Sequence, residues 1–125
     1  MKNFWIDSSD KNYITMNHLF ESKDFEWALF MGHLYIEKLL KACFVSKKNE
    51  IPPFIHNLLR LAELSEIELS DEKNLFFATV TTFNINARYD DYKENFRKLC
   101  NEEFTGFWLN KIKDNRQWIK SKHLI

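Results

Sequence analysis

The segment from about Asp24 to Ser46 most constrains the fold, because apolar residues recur along it at the spacing of an α-helix. At roughly 100° per residue, many of these side chains share one broad face. That face consists of Ala28, Leu29, Tyr35, Ile36, Leu39, Leu40, Ala42 and Cys43. The pattern predicts a long helix that packs this face into the core of a helical protein.

The other sides of the same helix carry two further patterns. A polar edge lies opposite the apolar face and consists of Glu26, His33, Glu37 and Lys41. A second apolar stripe consists of Trp27, Met31 and Leu34, and ends at Lys38. A helix that is apolar on two sides needs two surfaces to pack on, and we expect one of them to be another subunit.

Few residues interrupt helices anywhere in the chain. It contains two glycines and two adjacent prolines, Pro52 and Pro53, but twelve phenylalanines and four tryptophans for a core. So few breakers favour long helices over short strands with turns. At 125 residues, we expect one domain over residues 1–125, which buries about two thirds of its unfolded surface.

Four more helices are expected around the long one. The first has Ser8, Ser9 and Asp10 as N-cap candidates and ends near Glu21; the others run from about Ile55 to Glu66, from an N-cap at Ser70, and from about Asn101. The polar, poorly periodic segment from Asn84 to Asn95 is predicted to be a loop or a frayed turn. These elements predict an all-α fold, an up-and-down bundle of about five helices.

Charge and cysteine content limit the possible functions. Acidic and basic residues balance at 18 each, so any contact with nucleic acid must come from a local patch. Cys43 and Cys100 are too few for a disulfide framework or a zinc site and suit a reducing cytoplasm. No apolar stretch is long enough to span a bilayer. We therefore expect a cytoplasmic protein without a membrane partner.

Three pieces of sequence together resemble the HEPN domain family. They are His33-Leu-Tyr-Ile-Glu-Lys-Leu-Leu-Lys-Ala42, then Pro52-Pro-Phe-Ile-His56 with Leu58 and Leu61 after it, and Ala87-Arg-Tyr-Asp90. The resemblance implies a bundle of four or five helices, usually a homodimer. It also implies work beside a small nucleotidyltransferase partner, or in toxin–antitoxin and other defence systems. Many members are metal-independent RNases that use an arginine, four to six intervening residues, and a histidine.

The chain departs from that RNase pattern. Arg60, Arg88 and Arg97 have no histidine at the required distance. Arg116 precedes His123 with six residues between them, but this pair lies at the extreme C-terminus, whereas the family's pair lies at an internal helix end. We therefore assign no catalytic residue, expect no metal or cofactor, and do not expect an enzyme with its own complete active site.

The remaining candidate is a site for a nucleotide or RNA. The residues that we expect to line it are His33, Lys38, Lys41, His56, Arg88 and Tyr89. Lysine and arginine bind phosphate, and a tyrosine ring stacks on a base. Each residue also has a structural interpretation: Glu37 and Lys41 as an i,i+4 surface pair, His56 as a tie for the Pro-Pro turn, and Arg88 as a partner of Asp90 or Asp91.

Three functions follow from these patterns. The leading hypothesis is a dimeric nucleotide- or RNA-binding module that works with a nucleotidyltransferase and lacks ribonuclease activity. The first alternative is a metal-independent RNA endonuclease, toxin-like, with its active site elsewhere. The second is a pure interaction module that uses the Trp27, Met31 and Leu34 stripe for assembly.

Overall fold

The computed structural model describes residues 1–124, in which six helices follow one another along the chain. They are α1 (Lys2–Glu21), α2 (Phe25–Lys48), α3 (Leu58–Leu64), α4 (Asp71–Arg88), α5 (Asp90–Leu99) and α6 (Glu102–His123). The predicted all-α fold is confirmed, and the expected number of helices is one short of the number observed.

Helix α2 is the centre of the bundle and contacts each of the other five helices, α1 most extensively. Its predicted apolar face is buried along its whole length, from Ala28 to Cys43. Helix α1 covers a second side of α2, where the amide nitrogen of Asn12 lies 3.3 Å from the sulfur of Met31. The second packing surface that the sequence requires is therefore supplied, at least in part, by the chain itself. Trp27 remains 41% exposed at the end of the stripe.

The expected polar edge of α2 is mostly not on the surface. His33, Glu37 and Lys41 are all buried, at 0%, 4% and 6% exposure. The interpretation of Glu37 and Lys41 as a surface pair is therefore wrong. Helical periodicity identifies the face that the two residues share, but α1 and the segment before α3 cover that face, which only tertiary packing determines.

The predicted loop from Asn84 to Asn95 is also wrong. Helix α4 continues to Arg88, Tyr89 alone is extended (φ −86°, ψ 133°), and α5 begins at Asp90. Helix α5 is polar because it lies on the surface and buries only Phe96, whose ring centre is 5.6 Å from that of Phe83. Acidic residues in its first turn and basic residues in its last turn suit the helix dipole.

Three of the helices begin at a residue whose side chain caps the first turn. The side chains of Asn57, Ser70 and Asn101 accept backbone N–H groups and begin α3, α4 and α6. The expected caps at Ser8, Ser9 and Asp10 instead lie inside α1, which begins at Lys2. There the buried hydroxyl of Ser9 donates a hydrogen bond to the carbonyl of Ile6 at 2.7 Å. The hydroxyl is thus satisfied within the helix and does not cap its end.

Within residues 1–124, none of the helices combines the length and the apolar character that crossing a bilayer requires.

Candidate functional site

The segment between α2 and α3 is held in place at several points. Pro52 is buried, and the N–H of Ile55 donates to the carbonyl of Pro53 at 3.0 Å, which closes a three-residue turn. The carbonyl of His56 accepts a hydrogen bond from Nε2 of His33 at 2.9 Å. Two residues later the N–H of Leu58 donates to Oγ1 of Thr81 at 3.1 Å. The segment is thus fastened to both α2 and α4.

His33 lies at the bottom of this arrangement and is fully buried. A carbonyl only accepts, so Nε2 of His33 carries a hydrogen and donates a hydrogen bond to the carbonyl oxygen of His56. Burial lowers the pKa of His33 below its usual value of 6.5; the charges of His56 and Arg88 lower it further, while the His56 carbonyl and Glu37 act in the opposite direction. His33 is therefore neutral at physiological pH and fixes the backbone at His56.

Glu37 organises the charges of the site. Its buried carboxylate accepts from Nζ of Lys41 at 2.8 Å through Oε2 and contacts Nδ1 of His56 at 2.9 Å through Oε1. The side chain of His56 is 61% exposed. Because a carboxylate oxygen only accepts, Nδ1 of His56 carries a proton, and Nε2 is the ring nitrogen that Glu37 does not engage. A buried acid thus orients an exposed imidazole.

Arg88 is exposed at the last residue of α4, yet its side chain is held. Its Nε donates to the carbonyl of Asn84 at 3.1 Å, and its guanidinium carbon lies 5.7 Å from the ring centres of both Phe30 and Tyr89. Its two terminal amino groups have no hydrogen-bond partner within residues 1–124. The guanidinium is fixed and keeps its two-pronged donor fork available.

Helix geometry brings Arg88 towards the His56 segment. Arg88 follows Thr81 on α4 by two turns, a rise of about 10 Å. The hydrogen bond to Asn84 draws the guanidinium back by one turn, towards the level at which Thr81 holds Leu58. The charge of Arg88 also lowers the pKa of His33, whose ring contacts the His56 carbonyl. We call the surface formed by exposed His56 and Arg88, with His33 and Glu37 beneath, the α2–α4 face.

The other expected site residues lie on other surfaces or are already engaged. Nζ of Lys38 donates to Oγ of Ser8 on α1 at 2.8 Å. Lys41 is buried, paired with Glu37 and 5.4 Å from the ring centre of Trp5 on α1. Tyr89 is 53% exposed beside Arg88. The structure thus joins His33, His56 and Glu37 through direct contacts, places Arg88 at the end of α4, and directs both lysines towards α1; a binding role for these residues stays a prediction.

The C-terminal Arg116 and His123 lie on α6, two helical turns apart. The guanidinium carbon of Arg116 is 4.2 Å from the ring centre of Tyr13 on α1. The His123 ring packs against Trp118 with 5.0 Å between ring centres. Burial, Lys122 and Lys47 lower the pKa of His123 below its usual value. Arg116 therefore packs on Tyr13 of α1, whereas His123 packs on Trp118 of its own helix.

Sequence reasoning assigned no site role to Glu37. In the sequence, Glu37 is four residues from both His33 and Lys41, so the three side chains share one helix face. An acid between two basic side chains on one face is the pattern that could have indicated a hydrogen-bonded network. Phe30, one turn before His33, was also missed; its ring supports Arg88.

The exposed groups of the α2–α4 face are His56 and Arg88. These groups stand on a loop and a helix end, whereas one of the surface cavities, of about 260 Å³, lies between α4 and α6 and is lined by Phe76, Phe107 and Trp108. Small molecules are usually bound in concave sites, whereas an exposed charged surface suits a single strand of RNA or the end of one. No three His, Cys, Asp or Glu side chains in residues 1–124 are arranged to hold a metal ion.

Comparison with known proteins agrees with this architecture. The sequence model of the HEPN domain matches residues 3–122, nearly the whole chain. The chain therefore belongs to the HEPN domain family, and the resemblance stated above is confirmed. Neither the search of curated proteins nor the search of solved structures gives a match.

Proposed function

We propose that this HEPN domain binds the phosphates of RNA or of a nucleotide on its α2–α4 face. The observation that carries the proposal is the oriented imidazole of His56, 2.9 Å from the buried carboxylate of Glu37, together with the Arg88 guanidinium, whose two terminal amino groups have no partner within residues 1–124. Both groups donate hydrogen bonds to phosphate oxygens when they are charged. Because the chain has no net charge, binding depends on these local groups.

The exposure of His56 and Arg88 supports RNA as the principal ligand. A phosphodiester strand can lie across exposed groups without an enclosing cavity, while a small molecule gains most of its affinity from enclosure. Balanced charge predicts moderate affinity with a shallow dependence on salt, since few phosphates are neutralised.

The proposal is tested by titrating the protein with ATP and with short single-stranded RNAs. Arg88→Ala removes charge-assisted hydrogen bonds worth about 1.5–3 kcal/mol, so affinity falls roughly tenfold or more. Arg97→Ala is the matched control, because Arg97 is also exposed and also held through Nε, by Glu26 at 3.1 Å. If Arg88→Ala binds as tightly as the wild type, the assignment of the site is wrong.

A homodimer and a nucleotidyltransferase partner are also proposed, on the basis of the family. Trp27, 41% exposed beside half-buried Met31 and Leu34, is the contact we assign to the second subunit. Sedimentation equilibrium of the wild type and of Trp27→Glu tests this: a dimer that dissociates on substitution supports it, and an unchanged oligomer excludes the stripe. Co-purification with a nucleotidyltransferase tests the partner. A module that assembles through Trp27 and binds no RNA would fit the pure interaction role.

Metal-independent RNA cleavage is a second candidate, favoured by one observation. The Glu37 carboxylate fixes Nδ1 of His56 and so presents Nε2 as a base or acid, the arrangement that proton transfer requires. RNA incubated with the protein in EDTA would be cleaved, and His56→Ala would abolish the cleavage. Cleavage lost instead in His123→Ala would assign the activity to the C-terminal pair.

A further inference from the structure

Phe54 is the most exposed large hydrophobic residue of the described chain, with 98% of its surface accessible. An aromatic side chain offers a large apolar area and a flat ring, and at 98% exposure almost all of this area is available to a ligand. The next residue, Ile55, is partly buried and packs against the core. The chain therefore turns Ile55 inward and Phe54 outward at the same point.

The backbone holds the Phe54 ring in solvent. Phe54 is the middle residue of the turn closed by the 3.0 Å hydrogen bond from Ile55 to Pro53. Before it, the prolines fix the backbone dihedral φ, and after it the buried His33 holds the His56 carbonyl at 2.9 Å. Few backbone rotations remain with which the ring could fold onto the protein.

The position of the ring relates it to the α2–α4 face. Phe54 precedes His56 by two residues, so their Cα atoms are at most about 7 Å apart. In a nucleotide the phosphate and the base are joined through a single ribose. A phosphate bound at His56 and Arg88 thus places a base within reach of the Phe54 ring.

We propose that Phe54 is a stacking platform for an unpaired nucleobase whose phosphate binds at the α2–α4 face. This inference rests on the proposed function and names its substrate class: single-stranded RNA or a free nucleotide, with duplex RNA excluded. Duplex bases are already stacked on one another and offer no face to a protein ring, whereas unpaired bases do.

Binding measurements with four ligands test the proposal: ATP, a short single-stranded RNA, the same RNA annealed to its complement, and inorganic tripolyphosphate. Phe54→Ala and Phe54→Leu weaken binding of ATP and single-stranded RNA about tenfold, the effect of one lost base stack. Phe54→Trp keeps or improves it. Tripolyphosphate, which has no base, binds all variants equally. Because the side chain is exposed, none of these substitutions disturbs folding.

Ile51→Ala is the matched control, because Ile51 is 76% exposed in the same segment but has no ring. Its nucleotide affinity stays at the wild-type value. Equal losses in Ile51→Ala and Phe54→Leu would show an apolar contact without stacking and overturn the inference. So would duplex RNA that binds as tightly as single-stranded RNA, or a Phe54→Ala variant that changes only the sedimentation coefficient, which would make Phe54 a subunit contact.

The two proposals fail in different ways. If Arg88→Ala abolishes binding and Phe54→Ala does not, the stacking platform is wrong and the phosphate site stands. If wild-type protein binds neither tripolyphosphate nor ATP nor RNA, the proposed function fails and the stacking platform fails with it.

Discussion

Glu37→Gln should destabilise the protein strongly, because it removes one charge from a buried pair. The side chains of Glu37 and Lys41 are 5% and 7% exposed, and their charged atoms are 2.8 Å apart. The amide of glutamine occupies nearly the same volume but leaves the Lys41 ammonium without a counter-charge. Stability should therefore fall through electrostatics, without the formation of a cavity.

The size of the loss in stability follows from the burial of the Glu37–Lys41 pair. Removal of one partner from a buried ion pair costs about 3–5 kcal/mol. Lys41 also lies 5.4 Å from the Trp5 ring centre, a cation–π contact that survives the change. We therefore expect the lower end, about 3 kcal/mol, which lowers the melting temperature by about 12 °C in a domain of this size.

Urea denaturation followed by circular dichroism measures the effect as a lower midpoint with an unchanged slope. Glu63→Gln is the control: it breaks an exposed contact to Arg60 that is also 2.8 Å long, and should leave the midpoint unchanged. The double variant Glu37→Met/Lys41→Met should recover to within about 1 kcal/mol of the wild type, because no buried charge remains.

Two results would refute this reasoning. The first is a Glu37→Gln midpoint equal to that of Glu63→Gln, which would mean that water reaches the pair. The second is a double variant as unstable as the sum of its single variants, which would mean that the two side chains act independently.

Three further predictions concern other parts of the fold. Gly32→Ala places a Cβ 2.6 Å from Cδ1 of Ile112 and 3.3 Å from the sulfur of Met16, and should destabilise by about 1 kcal/mol in thermal melts, with relief in an Ile112→Val background. His33 has a folded pKa below its unfolded value, so its contribution is present above pH 6.5 and is lost as pH falls below it; His33→Gln should flatten stability between pH 7 and 5. Ser70→Ala should cost about 1 kcal/mol in urea by removing the α4 cap, while Ser70→Asn should keep it.

Each of these has a result that contradicts it. An Ile112→Val background that leaves the Gly32→Ala cost unchanged would locate the clash elsewhere. A His33→Gln variant as sensitive to acid as the wild type would assign the pH dependence to other groups, with His123 as the first to examine. Equal stability of Ser70→Ala and Ser70→Asn would mean that the hydroxyl does not cap α4.

The sequence alone determined the helical class, the family and most of the core. A period of 3.6 residues fixes which side chains share a helix face whatever surrounds the helix, so the apolar face of α2 could be predicted. The cap at Ser70 could also be predicted, because a capping side chain acts on a backbone group within three residues. The polar helix α5 was missed, because most of its residues are polar and it buries one anchoring residue, Phe96.

Only the tertiary structure decided what covers each face. Whether Glu37 faces water or the interior depends on α1 and on a segment about twenty residues away, and no local pattern contains that information. The same packing places the carbonyl of His56 on His33 and turns Phe54 outward. The spacing of residues along a helix determines which side of the helix each side chain faces. Whether that side is buried, and which charges pair there, is determined by the distant parts of the chain that pack against it.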